Sequence, residues 1–191
     1  PLLIGPRTYS QHQALHHYDM LAGPWTYRVF LLPNMLQVDL AFVEAGAFRA
    51  LAPSFRLVFG KAKTPLLLSP QAAGTFIGLG WLYALHAQTC IARGRFWQAE
   101  YMISAMRDTG LAMACARYEL PAMHGRGFDH LPGEVKSAFA DAIVRHLDSA
   151  DLSRAFRAVM LGFLSEVRIA DALLADRLEP PLMHLLDGDW G

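Results

Sequence analysis

The sequence lacks an excess of charge of either sign, and it contains only two cysteines. Its 191 residues include 17 Lys or Arg and 17 Asp or Glu, so the formal net charge is zero. Nucleic-acid backbones attract proteins with a basic face, and this balance predicts no nucleic-acid partner. Cys90 and Cys115 lie in apolar stretches without a Cys-x-x-Cys or Cys/His spacing, which predicts buried free thiols and argues against a structural zinc site.

A membrane-spanning segment and an export signal are also missing. No apolar run reaches the about 20 residues that span a bilayer. The longest candidate, TFIGLGWLYALHAQTCIA, contains His86 and Gln88, which favours a core helix. PLLIGPRTYS has no basic leader before its apolar run. We therefore expect no membrane partner and a cytoplasmic location. Because the chain begins with Pro1, a fragment or a processed protein is an alternative to a complete one.

Strand and turn signals predominate up to about residue 66. TYRVFLL (26–32) and LQVDLAFV (36–43) are rich in apolar residues, and the Pro-Asn pair between them predicts an antiparallel hairpin. FRALAP predicts a short helix and FRLVFG (55–60) a further strand. Hydrophobic residues make up 53% of the chain, which is enough for a large core.

Helical periodicity replaces the strand pattern from about residue 71. Helices joined by short turns pack antiparallel, so residues 67–191 predict a helical bundle. Asp151 is expected to cap the fourth helix, and a short tail helix is expected after Pro181. Strands followed by helices predict an α+β fold. The four long predicted helices are 71–94, 95–120, 133–147 and 151–178.

Asp39 interrupts the strand LQVDLAFV, although strands disfavour aspartate. Alternation places it on the face opposite Leu36, Val38 and Leu40. One interpretation is a solvated surface carboxylate. The other is a metal ligand at a cleft, because Mg²⁺ binds through one or two carboxylates together with substrate phosphates.

Two segments resemble a known superfamily. TYRVFLLPNMLQVDLAFV followed by FRLVFG resembles the later strands of the nucleotidyltransferase domain of the DNA polymerase β superfamily. ARGRFWQAEYMISAMRDTGLAMACAR resembles the helical domain of aminoglycoside and lincosamide nucleotidyltransferase-like proteins. The resemblance covers about residues 24–176 and implies that residues 1–66 are a partial nucleotidyltransferase-like α/β domain, the strand-rich remnant of a mixed sheet.

The resemblance implies transfer of a nucleoside monophosphate from an NTP such as ATP to a hydroxyl of a small molecule, with Mg²⁺. Asp39 matches the third metal-binding carboxylate of such proteins. Glu100 becomes the candidate general base, and Arg107, Trp97 and Tyr101 lie beside it as candidate nucleotide- or substrate-binding residues. An ion pair of Glu100 with Arg107 or with Arg93 is the structural alternative.

One departure from the superfamily changes the expected activity. Its Gly-Ser turn and Asp-x-Asp or Asp-x-Glu pair are missing: Gly5 is followed by Pro6, and the next acidic residue, Asp19, stands alone. Two-metal phosphoryl transfer needs several negative ligands. We therefore expect either a missing catalytic segment or lost transfer. A non-catalytic nucleotide-binding or protein-interaction module built on the helical domain is the alternative, and a helical ribonuclease-type or antitoxin-type partner is a third.

Other features give weaker indications. His12 and His16 are four residues apart, but without a Glu of the His-Glu-x-x-His pattern they favour solvated side chains. The loop PAMHGRGFDHLPG (121–133) predicts a connector between helices. Trp25 and Trp190, like Trp97, are compatible with an oligomer interface.

Overall fold

The chain divides into two compact units. The computed structural model describes residues 14–51, 55–65 and 73–187. The units are Pro1–Ser69 and Pro70–Gly191. The described part of the first contains an antiparallel sheet, and that of the second contains five α-helices. The prediction of an α+β fold with a helical C-terminal region is confirmed.

Among the described residues, the sheet has three antiparallel strands in the order β1-β2-β3. The predicted hairpin of β2 and β3 is confirmed, with Val29 paired to Asp39. The first strand was not predicted, because its sequence HHYDMLA has no regular alternation. Gly23 has a φ of 58° in the turn between β1 and β2, a conformation that glycine adopts without steric cost. The strands are β1 (His16–Ala22), β2 (Trp25–Leu31) and β3 (Gln37–Val43).

Aromatic contacts cover one end of the sheet. The rings of Trp25 and Phe48 lie 6.4 Å apart, and those of Phe48 and Phe55 lie 5.8 Å apart. The predicted strand at 55–60 is wrong, since these residues form no strand. The predicted helix FRALAP is wrong for residues 48–51, and its next two residues lie outside the described part.

Five α-helices form the part of the second unit that the structure describes. A short turn joins α1 to α2, so these two helices run antiparallel. None of the described helices combines the length and apolarity that crossing a bilayer requires. The helices are α1 (Ala73–Ala92), α2 (Phe96–Arg117), α3 (Gly133–Ala140), α4 (Ser149–Ala170) and α5 (Ala172–His184).

Helix α4 lies at the centre of the bundle and packs against α1, α2, α3 and α5. Its apolar residues recur at three- and four-residue spacing, so one broad side is apolar. Burial of that side removes most of its apolar surface from water, which is the main favourable term in folding. The fully or almost fully buried residues of this side include Leu152, Phe156, Val159, Met160, Phe163 and Val167.

Helix α3 inserts one aromatic ring between α2 and α4. A Cβ atom added at Gly110 of α2 would lie 2.6 Å from the ring of Phe139, and one added at Gly162 of α4 would lie 2.8 Å from it. These distances are shorter than real Cβ contacts. The two glycines therefore form a notch that only a residue without a side chain can provide.

The predicted fourth helix is divided in two at Asp171. This residue has an extended backbone, and its side chain accepts a hydrogen bond of 2.9 Å from the Leu174 backbone N–H, so it caps α5. Arg168 then pairs with Asp176 and Glu179 of α5. Instead of a separate tail helix after the prolines, α5 continues through Pro180 and Pro181 to His184.

The predicted cap of α4 is also wrong in one detail. Asp148, not Asp151, is the N-cap, and its carboxylate accepts from the Asp151 backbone N–H at 2.9 Å. The Asp151 carboxylate instead accepts from the backbone N–H groups of Arg145 and His146 at 2.5 and 2.9 Å. The hydrogen bonds from His146 and Arg145 lower the pKa of Asp151 to about 2, and a weaker contribution comes from the hydrogen bond that the Arg154 side chain donates.

The same contacts explain why α3 is shorter than predicted. In a continuous helix the backbone N–H of Arg145 would donate to the carbonyl of Asp141. Here that N–H donates to Asp151, and the Asp141 carbonyl accepts from the Arg154 side chain. Side chains of α4 therefore occupy the backbone groups that would extend α3 beyond Ala140.

Replacement of Asp151 should change how stability depends on pH. The folded pKa of about 2 lies below the ordinary value of 3.8, so the carboxylate stabilises the fold above about pH 4 and loses this effect as pH falls toward 2. We expect Asp151→Asn to lower the melting temperature at pH 6, with the difference from the parent shrinking in acid. A constant difference from pH 6 to pH 2, measured by circular dichroism, would contradict this role.

Filling the glycine notch should destabilise the bundle. Gly162→Ala is expected to cost about 1–3 kcal/mol in the free energy of unfolding, because the added methyl overpacks against Phe139. Gly78→Ala is the matched control: it lies within α1 and meets no atom within 4 Å, so alanine should stabilise by about 0.5–1 kcal/mol. Urea unfolding measures both, and equal effects of the two substitutions would refute the notch.

Candidate functional site on helix α2

Helix α2 turns one side to the core and the opposite side to solvent. Ala99, Ile103 and Met106 have no exposed surface, whereas Trp97 and Tyr101 are 79% and 66% exposed. Residues four apart lie on adjacent turns of one side of a helix, so the two aromatic side chains are neighbours on the outer side. The exposure of such large rings marks this surface as a candidate for binding.

Glu100 is half-buried beside these rings. Its Oε1 atom accepts a hydrogen bond of 2.7 Å from the hydroxyl of Ser104, one turn farther along the helix. Within the described part of the chain, no cationic side chain pairs with this carboxylate. A carboxylate offers about four acceptor positions, so most of its hydrogen-bonding capacity is available.

The expected ion pairs of Glu100 are not formed. The Nε and Nη2 atoms of Arg107 donate to Oδ1 of the adjacent Asp108, at 3.0 and 2.8 Å. Arg93 makes no ion pair with any residue described in the structure. The structural alternative, in which an arginine neutralises Glu100, is therefore wrong.

Four predicted site residues thus lie on one surface, which we call the α2 face: Trp97, Glu100, Tyr101 and Arg107. Aromatic rings of this kind stack on the apolar side of a sugar or a base. The carboxylate can accept a hydrogen bond from a hydroxyl or an amine. The α2 face therefore combines a stacking surface and a hydrogen-bond acceptor with a guanidinium that is paired with Asp108.

The fifth predicted residue, Asp39, belongs to the other unit. It lies in β3 beside Val29 and is exposed. The side-chain amide of Gln37 donates to both of its carboxylate oxygens, at 2.9 and 3.1 Å. This environment matches the interpretation of a solvated surface carboxylate, and the role of metal ligand stays a prediction.

The described residues of the sheet do not fit a two-ion site. Asp39 is the only carboxylate on its face among the paired positions of the three strands. The other strand carboxylate, Asp19, lies on the opposite face, where Arg28 donates to both of its oxygens at 2.6 and 2.5 Å. No group of three or more potential metal ligands occurs in the described ranges. Mg²⁺ chemistry would need more ligands than these.

The histidines and the loop singled out in the sequence form no cluster of metal ligands among the described residues. His16 lies in β1 rather than in a helix, and His12 lies outside the described residues. In the loop after α2, His124 and His130 are exposed, and Lys136 donates to the backbone carbonyl of Asp129 at 2.9 Å. This loop connects two helices, as predicted.

Comparison with known proteins gives no relative of this chain. The sequence matches no protein-family profile and no curated protein.

One buried charged residue is not predicted from the sequence. Glu166 is 6% exposed and lies in α4, where it pairs with Arg117 of α2 at 2.8 Å. The sequence does indicate this residue, because Glu166 interrupts the apolar pattern of FLSEVRIA in the same way that Asp39 interrupts its strand.

Magnesium alone should bind the chain too weakly to detect. Asp39 offers one exposed carboxylate, and Mg²⁺ retains its waters unless several oxygen ligands replace them. Calorimetric titration with millimolar MgCl₂ is expected to give no binding heat for the parent or for Asp39→Asn. A binding isotherm that Asp39→Asn abolishes would contradict this expectation.

Proposed function

We propose that the chain is a nucleotidyltransferase-like protein whose α2 face binds the small-molecule acceptor of the transferred nucleoside monophosphate. The observation that carries the proposal is the state of Glu100, which has no cation partner in the described chain and lies one turn from Trp97 and next to Tyr101, both of which are exposed. An exposed ion pair would have made this carboxylate part of a solvated helix surface. Its availability instead favours contact with a ligand hydroxyl.

The chemistry assigned to the α2 face is simple. Trp97 and Tyr101 would stack on the sugar-like rings of the acceptor and hold one hydroxyl beside Glu100. The carboxylate would accept the proton of that hydroxyl while its oxygen forms a bond to the α-phosphorus of the NTP and pyrophosphate leaves. The hydrogen bond from Ser104 fixes the orientation of the carboxylate.

Binding without turnover is the second candidate function. The sheet favours this second function. Its described strands supply one carboxylate on the face of Asp39, whereas two-metal transfer requires several. The chain as printed should therefore bind an acceptor and transfer little or no AMP to it from ATP and Mg²⁺.

The test is calorimetric titration of the chain with an aminoglycoside and with a lincosamide, since both acceptor classes are implied by the resemblance. We expect millimolar or tighter binding of at least one. Glu100→Gln, which preserves the hydrogen bond from Ser104, should weaken it about tenfold, as expected for loss of a charge-assisted hydrogen bond. Trp97→Ala should weaken it to a similar degree.

Trp81→Ala is the matched control, because Trp81 is a partly exposed tryptophan of α1 outside the α2 face, 39% exposed. It should leave the affinity unchanged. Equal losses for Trp81→Ala and Trp97→Ala would argue against the α2 face. Rapid AMP transfer that disappears in Asp39→Asn would show that the metal ligands are more complete than the sheet indicates.

A further inference from the structure

A cleft lies within the helical unit, away from the α2 face. It has a volume of about 320 Å³ and is bounded by the start of α1 and the ends of α2 and α4. Small-molecule sites are typically concave and apolar, with a few polar groups that fix orientation. This cleft has that character: Phe76, Met113 and Ile169 line it with three alanines, and its polar residues are Arg117 and Glu166.

The Glu166 carboxylate is the unusual feature of this cleft. It is 6% exposed, and an ionised carboxylate removed from water needs strong partners. Arg117 Nη2 donates to Oε1 at 2.8 Å, but the contact from Nε to Oε2 is long, at 3.3 Å. No other donor in the described chain reaches this carboxylate, so Oε2 has acceptor capacity left.

Arg117 is held at the rim of the cleft. Its guanidinium lies over the ring of Tyr118, 4.5 Å from the centroid, and its side chain is 31% exposed. Burial disfavours its charge, but the hydrogen bond and the charge of Glu166 outweigh burial and raise the pKa of Arg117. The arginine therefore stays charged and partly exposed, while its partner Glu166 is buried.

The free capacity of Glu166 favours a positively charged donor in this cleft. The Glu166–Arg117 pair is neutral overall, and Oε2 can accept a further hydrogen bond. An ammonium group has three N–H donors and carries the charge that a carboxylate attracts. A neutral or anionic ligand of the same shape lacks that attraction.

We propose that this cleft is a binding site for a small apolar amine, whose ammonium group donates to Glu166 and whose hydrocarbon part fills the space among Phe76, Met113 and Ile169. The site is distinct from the α2 face: 20 residues of one helix separate Trp97 from Arg117, about 30 Å at 1.5 Å per residue. Its occupation does not depend on the proposed transferase function.

Three probes of similar shape test the site: benzylamine, benzyl alcohol and phenylacetate. Titration of the full chain, followed by NMR, should give a dissociation constant in the millimolar range for benzylamine, as expected for so few atoms, and much weaker binding of the other two. Glu166→Gln should weaken benzylamine binding about tenfold, because it removes the charge but retains an acceptor for Arg117.

Two further variants separate binding from folding. Ala170→Leu fills the cleft from an exposed position and leaves the ion pair in place, so it should abolish benzylamine binding without loss of the fold. Glu134→Gln, at an exposed glutamate of α3, should have no effect. The proposal is overturned if benzylamine does not bind, if benzyl alcohol or phenylacetate binds equally well, or if Ala170→Leu leaves the affinity unchanged.

Discussion

The burial of one apolar side of α4 against α1 and α2 is the constraint on which the helical unit depends. It fixes the rotation of α2 about its axis, because Ala99, Ile103 and Met106 must face inward. Once they do, Trp97 and Tyr101 have to face outward, and Glu100 lies at the boundary. The composition of the α2 face is therefore a consequence of core packing.

Close approach of the helices strengthens this constraint. The ring of Phe139 occupies the notch between Gly110 and Gly162, so α3 holds α2 and α4 at a separation that a larger residue would change. Packed interiors have low compressibility and transmit strain, so a change at this contact would disturb the packing of both helices. The exposed rings of α2 project from a helix packed in this way, and a surface that is ordered before binding costs less to immobilise.

The sequence predicted the long periodic elements well and the local interruptions poorly. Helices α1 and α2 follow from long apolar segments, and the β2–β3 hairpin follows from two apolar strands joined by the Pro-Asn turn. The ends of α3 and α4 depend on competition for backbone groups, in which Asp151 and Asp171 capture N–H donors that a continuous helix would use. Helical spacing predicts that Glu100 and Ser104 lie on one side of α2, where they form a hydrogen bond. It does not predict that Arg107 pairs with Asp108 and not with Glu100.

We propose that the α2 face binds a ligand because its carboxylate is left without a cation. The most direct measurement is the NMR signal of the Trp97 indole N–H, together with the backbone signals of Glu100 and Tyr101, during titration with an aminoglycoside. We expect saturable shifts confined to the α2 face, with the signals of Phe139 and Gly162 unchanged. Shifts elsewhere in the chain, with none on this face, would rule out binding there.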